Sequence, residues 1–200
     1  MPKVLKNKFQ LKREATYAQL IRSGMKVLCE RGYTQTTVDD IANEAGFSKG
    51  AFYVHFKSKE DFMLEMIEYR AIIRSEWTIA LRRKGNESLE ELVSAAVDQV
   101  FEYLQQTPEW SRVYIDFFTQ SRNNEAVREK YKEYYGRWLE EYAAYIRELQ
   151  EQQLINQELS ADFYARTIYA LLEGMIVQWN IYGEQPDKRR FLQAVLRLLQ

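Results

Sequence analysis

The 200-residue chain has one cysteine, one histidine, three prolines and eight glycines. A single cysteine, Cys29, excludes an internal disulfide and fits a reducing compartment. It lies in KVLCERG at a core-like spacing and reads as a small buried apolar residue rather than a nucleophile. One histidine and one cysteine leave no histidine-rich metal site and no cysteine–histidine pair, so no metal and no cofactor are expected. Carboxylate pairs such as Glu140-Glu141 are consecutive and do not share a helix face. Nothing points to an enzyme. No apolar run approaches bilayer length, and the most apolar piece, ALLEGMIVQW, is interrupted by Glu173 and Gln178. The basic opening MPKVLKNKFQLKRE lacks the apolar stretch of a signal peptide, so a cytoplasmic protein with no membrane partner is expected.

Scarce proline and glycine leave room for long elements, and β-branched alternation is nearly absent. Helix-start signals recur instead, as Ser or Thr with an acid three residues on. Thr37 precedes Asp40, Ser58 precedes Asp61, and Ser88 precedes Glu91. Thr107-Pro108, Ser160 and Pro186 mark further starts. The pattern predicts an all-α chain of about nine helices, over 11–31, 38–45, 49–56, 59–83, 89–106, 108–121, 125–152, 161–182 and 187–199. Gly32 stops the first and Gly85-Asn86 the fourth.

What is present in excess is charge of one sign at one end. Residues 1–60 hold 11 Lys and Arg against 6 Asp and Glu, a balance of +5, while the remainder carries −6. A basic front on an acidic body suggests a polyanion partner for the front alone. In VDDIANEAGFSKGAFYVHF (residues 38–56), two helices of about two turns each are too short to stand alone. Ile41, Ala45, Phe47, Phe52 and Phe56 are their expected inward residues, and Ala42 lets the helices cross closely. Gly46 stands where a left-handed residue is needed and Ser48 caps the second helix, which is helix-turn-helix grammar. Lys49 and Lys59 both occupy first turns, where the helix dipole disfavours cations, so an external anion is expected there. Thr36 and Thr37 offer hydroxyls to the same phosphates, and Tyr53 and His55 can reach phosphate or base. The N-terminal lysines read equally as a solvated tail or as an arm that follows the DNA backbone or enters the minor groove.

TTVDDIANEAGFSKGAFYVHFKSKEDF closely resembles the DNA-binding domain of TetR-family transcriptional repressors, and LIRSGMKVLCERGY resembles the end of that family's first helix. The resemblance spans roughly residues 10–65. It implies a helix-turn-helix domain over 1–60, an effector-binding and dimerisation domain over 61–200, and a homodimer. By the same resemblance, Lys49, Gly50, Ala51, Tyr53 and His55 lie at the groove beside Ser48, while Thr37 and Lys59 hold phosphate. Val54 stands where many members carry another aromatic or polar residue.

Of 28 aromatic residues, 17 fall between Phe101 and Tyr182. Most suit a core or an interface, and some suit a cavity, because ligand sites in helical bundles are built from facing aromatic side chains. The candidates are Phe101, Trp110, Tyr114, Phe117, Tyr135, Trp138 and Tyr142. Two acids in apolar company, Asp116 in VYIDFF and Glu173 in ALLEGMIVQW, need partners and would suit a lipophilic cation. Leu171, Gly174, Met175 and Trp179 in one helix, with Phe191, Val195 and Leu198 in the next, form a dimer seam or an internal contact, and the resemblance favours the dimer. The expectation is a repressor that binds a palindromic DNA operator as a dimer and is released by a small lipophilic effector. An activator, a ligand-independent regulator and a nonspecific DNA-binding protein are the alternatives.

Overall fold

The computed structural model describes residues 7–82 and 88–200, so the N-terminal Lys3 and Lys6 and the expected stop at Gly85-Asn86 lie outside the described residues. Among the described residues there are nine helices and no strand. They are α1 (Lys8–Arg31), α2 (Val38–Glu44), α3 (Lys49–Tyr53), α4 (Lys59–Arg82), α5 (Leu89–Gln106), α6 (Glu109–Ser121), α7 (Glu125–Glu151), α8 (Ala161–Tyr182) and α9 (Lys188–Leu199).

Local signals set most boundaries. Thr37 and Ser88 form reciprocal capping boxes with Asp40 and Glu91. Asn7 and Gln10 do the same for α1, which starts three residues before the expected point. Gly46 adopts φ +75°, which lets the Phe47 N–H reach back to the Ala42 carbonyl at 2.9 Å and closes α2. The third helix is shorter than expected. His55 N–H donates to the Phe52 carbonyl three residues back, at 2.9 Å, and this tighter turn ends α3 at Tyr53. Thr107 does not cap α6, because its hydroxyl accepts from Arg70 instead (2.9 Å).

Two cores organise the molecule. The first joins α1–α3 to the near half of α4 and continues into α6 and α7. Its centre is a ring cluster in which Phe56 meets Phe62 edge-on at 4.8 Å and Phe52 at 5.1 Å. All three rings are buried, and each contributes roughly 1.5–3 kcal/mol of burial. That energy holds the two short helices in place, since neither is long enough to persist alone. Because Val113, Phe117 and Trp138 belong to the same cluster, the head does not end as a packing unit at residue 60. The second core lies among α5, α7, α8 and α9.

Candidate nucleic-acid interface and ligand cavity

The leading end of α3 is presented to solvent. Ser48, Lys49 and Gly50 are exposed, Ala51 is half-buried, and Tyr53 and Val54 are 50% and 65% exposed beside the fully buried Phe52. Ser48 accepts from the Ala51 N–H at 3.3 Å, which fixes the first turn. Lys49 is not left against the helix dipole: its ammonium donates to Asp39 of α2 at 2.6 Å, and that hydrogen bond holds its pKa above the ordinary range. Thr37 is exposed at the N-cap of α2. Several cations of the basic front are similarly paired across the surface, Arg31 with Asp40 and Lys26 with Glu44. A cluster of anions arriving from outside would replace these exposed pairs at little cost.

Three expected contacts sit differently. Thr36 is 1% exposed and its hydroxyl donates to the Gly32 carbonyl at 2.7 Å, so it holds the α1–α2 loop and has no surface to offer phosphate. Lys59 is half-buried. Its ammonium donates to the Tyr33 and Thr36 carbonyls, both at 2.9 Å, and lies 4.2 Å from the Tyr33 ring. Two of its three donors therefore cap this loop, and burial lowers its pKa. His55 lies past the end of α3, half-buried, with its ring 6.1 Å from that of Tyr17 in α1. Burial, with Arg13 nearby, pushes its pKa down.

Polar links tie this head to the body. Asp116 of α6 accepts from both the N–H and the hydroxyl of Thr34. Lys130 of α7 bridges Asp61 (2.9 Å) and Glu65 (3.0 Å) of α4. Glu65 also accepts from Tyr134 and from Tyr17 of α1, whose hydroxyl is pushed up to about 12 by burial and then by Glu65. Arg137 pairs with Glu68 at 2.6 Å.

The body contains a cavity of about 530 Å³ bounded by α4, α5, α6, α7 and α8. Of the expected ligand residues, Trp110, Tyr114 and Glu173 line it. Tyr114 and Tyr131 hydrogen-bond through their hydroxyls, and burial followed by Tyr131 holds the Tyr114 pKa well above the ordinary range. Arg70, from α4, brings the other charge. It is 7% exposed, lies 4.1 Å from the Tyr103 ring and 4.8 Å from that of Trp110, and touches the Met25 sulfur of α1 at 3.9 Å. One arginine thus joins the cavity wall, α4 and α1. Arg70 was legible as a cation falling three and four residues after Ile67 and Met66 on an apolar stripe. Tyr142 lines a smaller apolar pocket of about 170 Å³ among α5, α7, α8 and α9. Tyr135 stands edge-on to Tyr169 at 5.2 Å. Phe101, Phe117 and Trp138 are buried core residues, and Asp116 is occupied outside with Thr34, so none of these four lines the larger cavity.

The expected seam residues divide as well. Leu171 and Gly174 are exposed on α8, continuous with Val177, Ile181 and Tyr182. Met175 is half-buried against the second core, and Trp179 lines the larger cavity. Phe191 and Val195 are buried within the chain, with Phe191 5.9 Å from Phe101, and Leu198 packs on the same core, so these three face inward. The apolar face of α9 is taken by α5 of its own chain.

Residues 20–66 match the family described as bacterial regulatory proteins, tetR family, and residues 89–200 match the BetI-type transcriptional repressor C-terminal family. The HTH-type transcriptional regulator YwcC of Bacillus subtilis is 37% identical over 198 residues, which cover 95% of this chain and 87% of the relative. The HTH-type transcriptional repressor DhaR of a Mycobacterium species is 27% identical over 90% of each chain. Among solved structures, the fatty acid degradation regulator FadR of Bacillus halodurans superposes with a TM-score of 0.77 at 23% identity, covering 98% of this chain and 96% of that one. FadR of Bacillus subtilis, solved with stearoyl-CoA, gives 0.75 at 23% identity, covering 92% and 97%. A regulator from Saccharomonospora viridis, solved with choline, gives 0.70 at 22% identity, covering 92% and 95%. No helix among the described residues is long and apolar enough to cross a membrane. With head, body and whole-chain fold in agreement, the chain belongs to the TetR family of helix-turn-helix transcriptional regulators, which bind DNA and are not enzymes.

Proposed function

We propose that the chain is a cytoplasmic repressor that binds a palindromic operator as a homodimer and is released when a small lipophilic effector enters the larger cavity. The observation that carries this reading is the position of Arg70, which lines the cavity while touching α1 of the head. An effector that moves this guanidinium acts directly on the joint between head and body, and α4 is the lever. The solved neighbours bound to stearoyl-CoA and to choline support a small-molecule site in such a body. To shift operator occupancy from 1:99 to 99:1, the effector must favour the released state by about 5.5 kcal/mol.

The groove contacts in this reading are Lys49, Gly50, Ala51, Tyr53 and His55, with Thr37, Ser48 and the remaining donor of Lys59 on the backbone. Tyr53 and Val54 offer an apolar edge suited to a thymine methyl. The dimer seam runs along the exposed stripe of α8 through Leu171, Gly174, Val177 and Ile181. A Cβ added at Gly174 meets nothing within 4 Å in its own chain, so a glycine there leaves room for a helix from outside. Two heads about 34–36 Å apart would then read successive major grooves.

Selection of bound sequences from a random duplex pool tests this. A palindromic consensus with half-sites one turn apart supports it. Equal affinity for random and selected duplex, with a steep salt slope for both, overturns it in favour of a nonspecific binder.

A further inference from the structure

We infer that the small apolar pocket among α5, α7, α8 and α9 is a tail site, and that the effector is an amphiphile with one straight alkyl chain. This rests on the reading that the effector occupies the larger cavity, and it adds the ligand's chemical class. Tyr169 and Leu172, three residues apart on α8, line both spaces. The two volumes are therefore separated by the thickness of these side chains. Polarity is divided between them. Arg70, Thr107, Ser111 and Glu173 all stand on the larger side, whereas among the described residues no charged one lines the smaller pocket. Its volume, about 170 Å³, is close to that of a dry engineered cavity of roughly 150 Å³ that accepts benzene. Its walls are aliphatic and aromatic side chains, so an alkyl segment laid against them gains about 25 cal/mol per Å² of apolar surface removed from water.

A compact ligand would fill the larger cavity and leave the pocket unused. A second alkyl chain would be left in the larger cavity against Arg70, Thr107, Ser111 and Glu173. A single alkyl chain satisfies both spaces, with its polar end beside Arg70 and Glu173 and its methyl end among Val97, Val100 and Phe191.

The test is calorimetric titration of the DNA-free protein with straight-chain alkanoates and alkyltrimethylammonium salts of 6 to about 16 carbons, each below its micelle concentration. In at least one series, affinity is expected to rise about fourfold per methylene until the pocket is full. Ala96→Leu places three more carbons in the pocket wall. It is expected to leave the six-carbon member within about twofold, and to end the rise several methylenes earlier. Its melting temperature without ligand should not fall, since a void is being filled. Val100→Phe repeats the reading should Ala96→Leu fold poorly. A flat dependence on chain length in both series, or an unshortened rise in both variants, overturns the tail site. Operator binding is measured separately without any amphiphile, so a failed operator selection beside an intact chain-length slope would sink the repressor reading and leave the tail site standing.

Discussion

Asp116 on α6 receives the N–H of Thr34 at 3.1 Å and its hydroxyl at 2.9 Å, a link of 82 residues in sequence that closes the body onto the α1–α2 loop. The same loop carries the N-cap of α2 and receives Lys59, so its position fixes the approach angle of α3. Charge-assisted hydrogen bonds at a partly exposed site contribute modestly to stability but fix geometry. Asp116→Ala should therefore leave operator affinity without effector within about threefold. Effector-driven release should weaken by at least about fivefold, the lower end of ordinary coupling energies. Fluorescence anisotropy of a labelled operator, with and without effector, reads both quantities. Full release in the variant would show that coupling runs through α4 alone.

The Lys49–Asp39 pair makes a prediction with opposite signs for its two members. Lys49→Ala removes a cation from the leading end of α3 and should reduce operator affinity at least tenfold, as should Tyr53→Ala. Neither should lower the melting temperature by more than about 2 °C, because both side chains are about half exposed. Asp39→Asn removes the carboxylate that neutralises Lys49 and should tighten binding to any duplex. It should also steepen the logarithmic salt slope by about one ion. An unchanged affinity in all three variants would remove α3 from the groove.

His55 carries a pH dependence. Burial is the larger cause of its lowered pKa, with Arg13 second, so the free folded protein holds the ring neutral to lower pH than the unfolded chain does. The unfolded state then binds more protons, and the contribution of His55 to stability is present above the ordinary histidine pKa of about 6.5 and is lost as pH falls through the depressed value. DNA phosphates reverse the preference by favouring the imidazolium. Operator affinity should therefore rise as pH falls toward the depressed value of the free protein, with proton uptake on binding. His55→Gln should flatten that rise. A pH profile that keeps its slope in His55→Gln would place the ring away from phosphate.

Capping, turn chemistry and helical period are local, which is why the nine-helix map and the boundaries of α2, α5 and α8 were readable from the sequence. Long-range choices were not. Asp116 looked buried because Ile115 and Phe117 adjoin it in sequence, yet on a helix its neighbours are Arg112, Val113, Thr119 and Gln120, of which only Val113 is buried. Glu173 has Tyr169 and Ile176 at those spacings and does face the cavity. The apolar stripe of α9 was equally plain, but periodicity gives a face and not its partner, and α5 of the same chain covers it. Lys59 was turned toward phosphate by the helix-dipole argument and the family resemblance, and Thr36 by its place at the start of α2, while the loop between α1 and α2 had carbonyls that needed donors.

Two glycines on helices should respond in opposite directions to the same substitution. A Cβ on Gly24 of α1 would stand 2.3 Å from Cζ of Phe62 and 3.3 Å from Cγ2 of Ile41. The Phe62 ring is fully buried and held by Phe56 at 4.8 Å and Phe52 at 5.4 Å, so it cannot turn aside without moving the cluster that seats α3. Gly24→Ala should destabilise by about 1–3 kcal/mol, the cost of overpacking. Gly136 lies exposed in α7 with nothing within 4 Å of its Cβ position. There alanine only restricts the unfolded chain and favours helix, a gain of about 0.4–1 kcal/mol. Urea unfolding of both variants measures the pair. If Gly24→Ala proved as stable as the parent, α1 and α4 would have to cross more loosely than the contact allows, and the rigid platform beneath α3 would be lost with it.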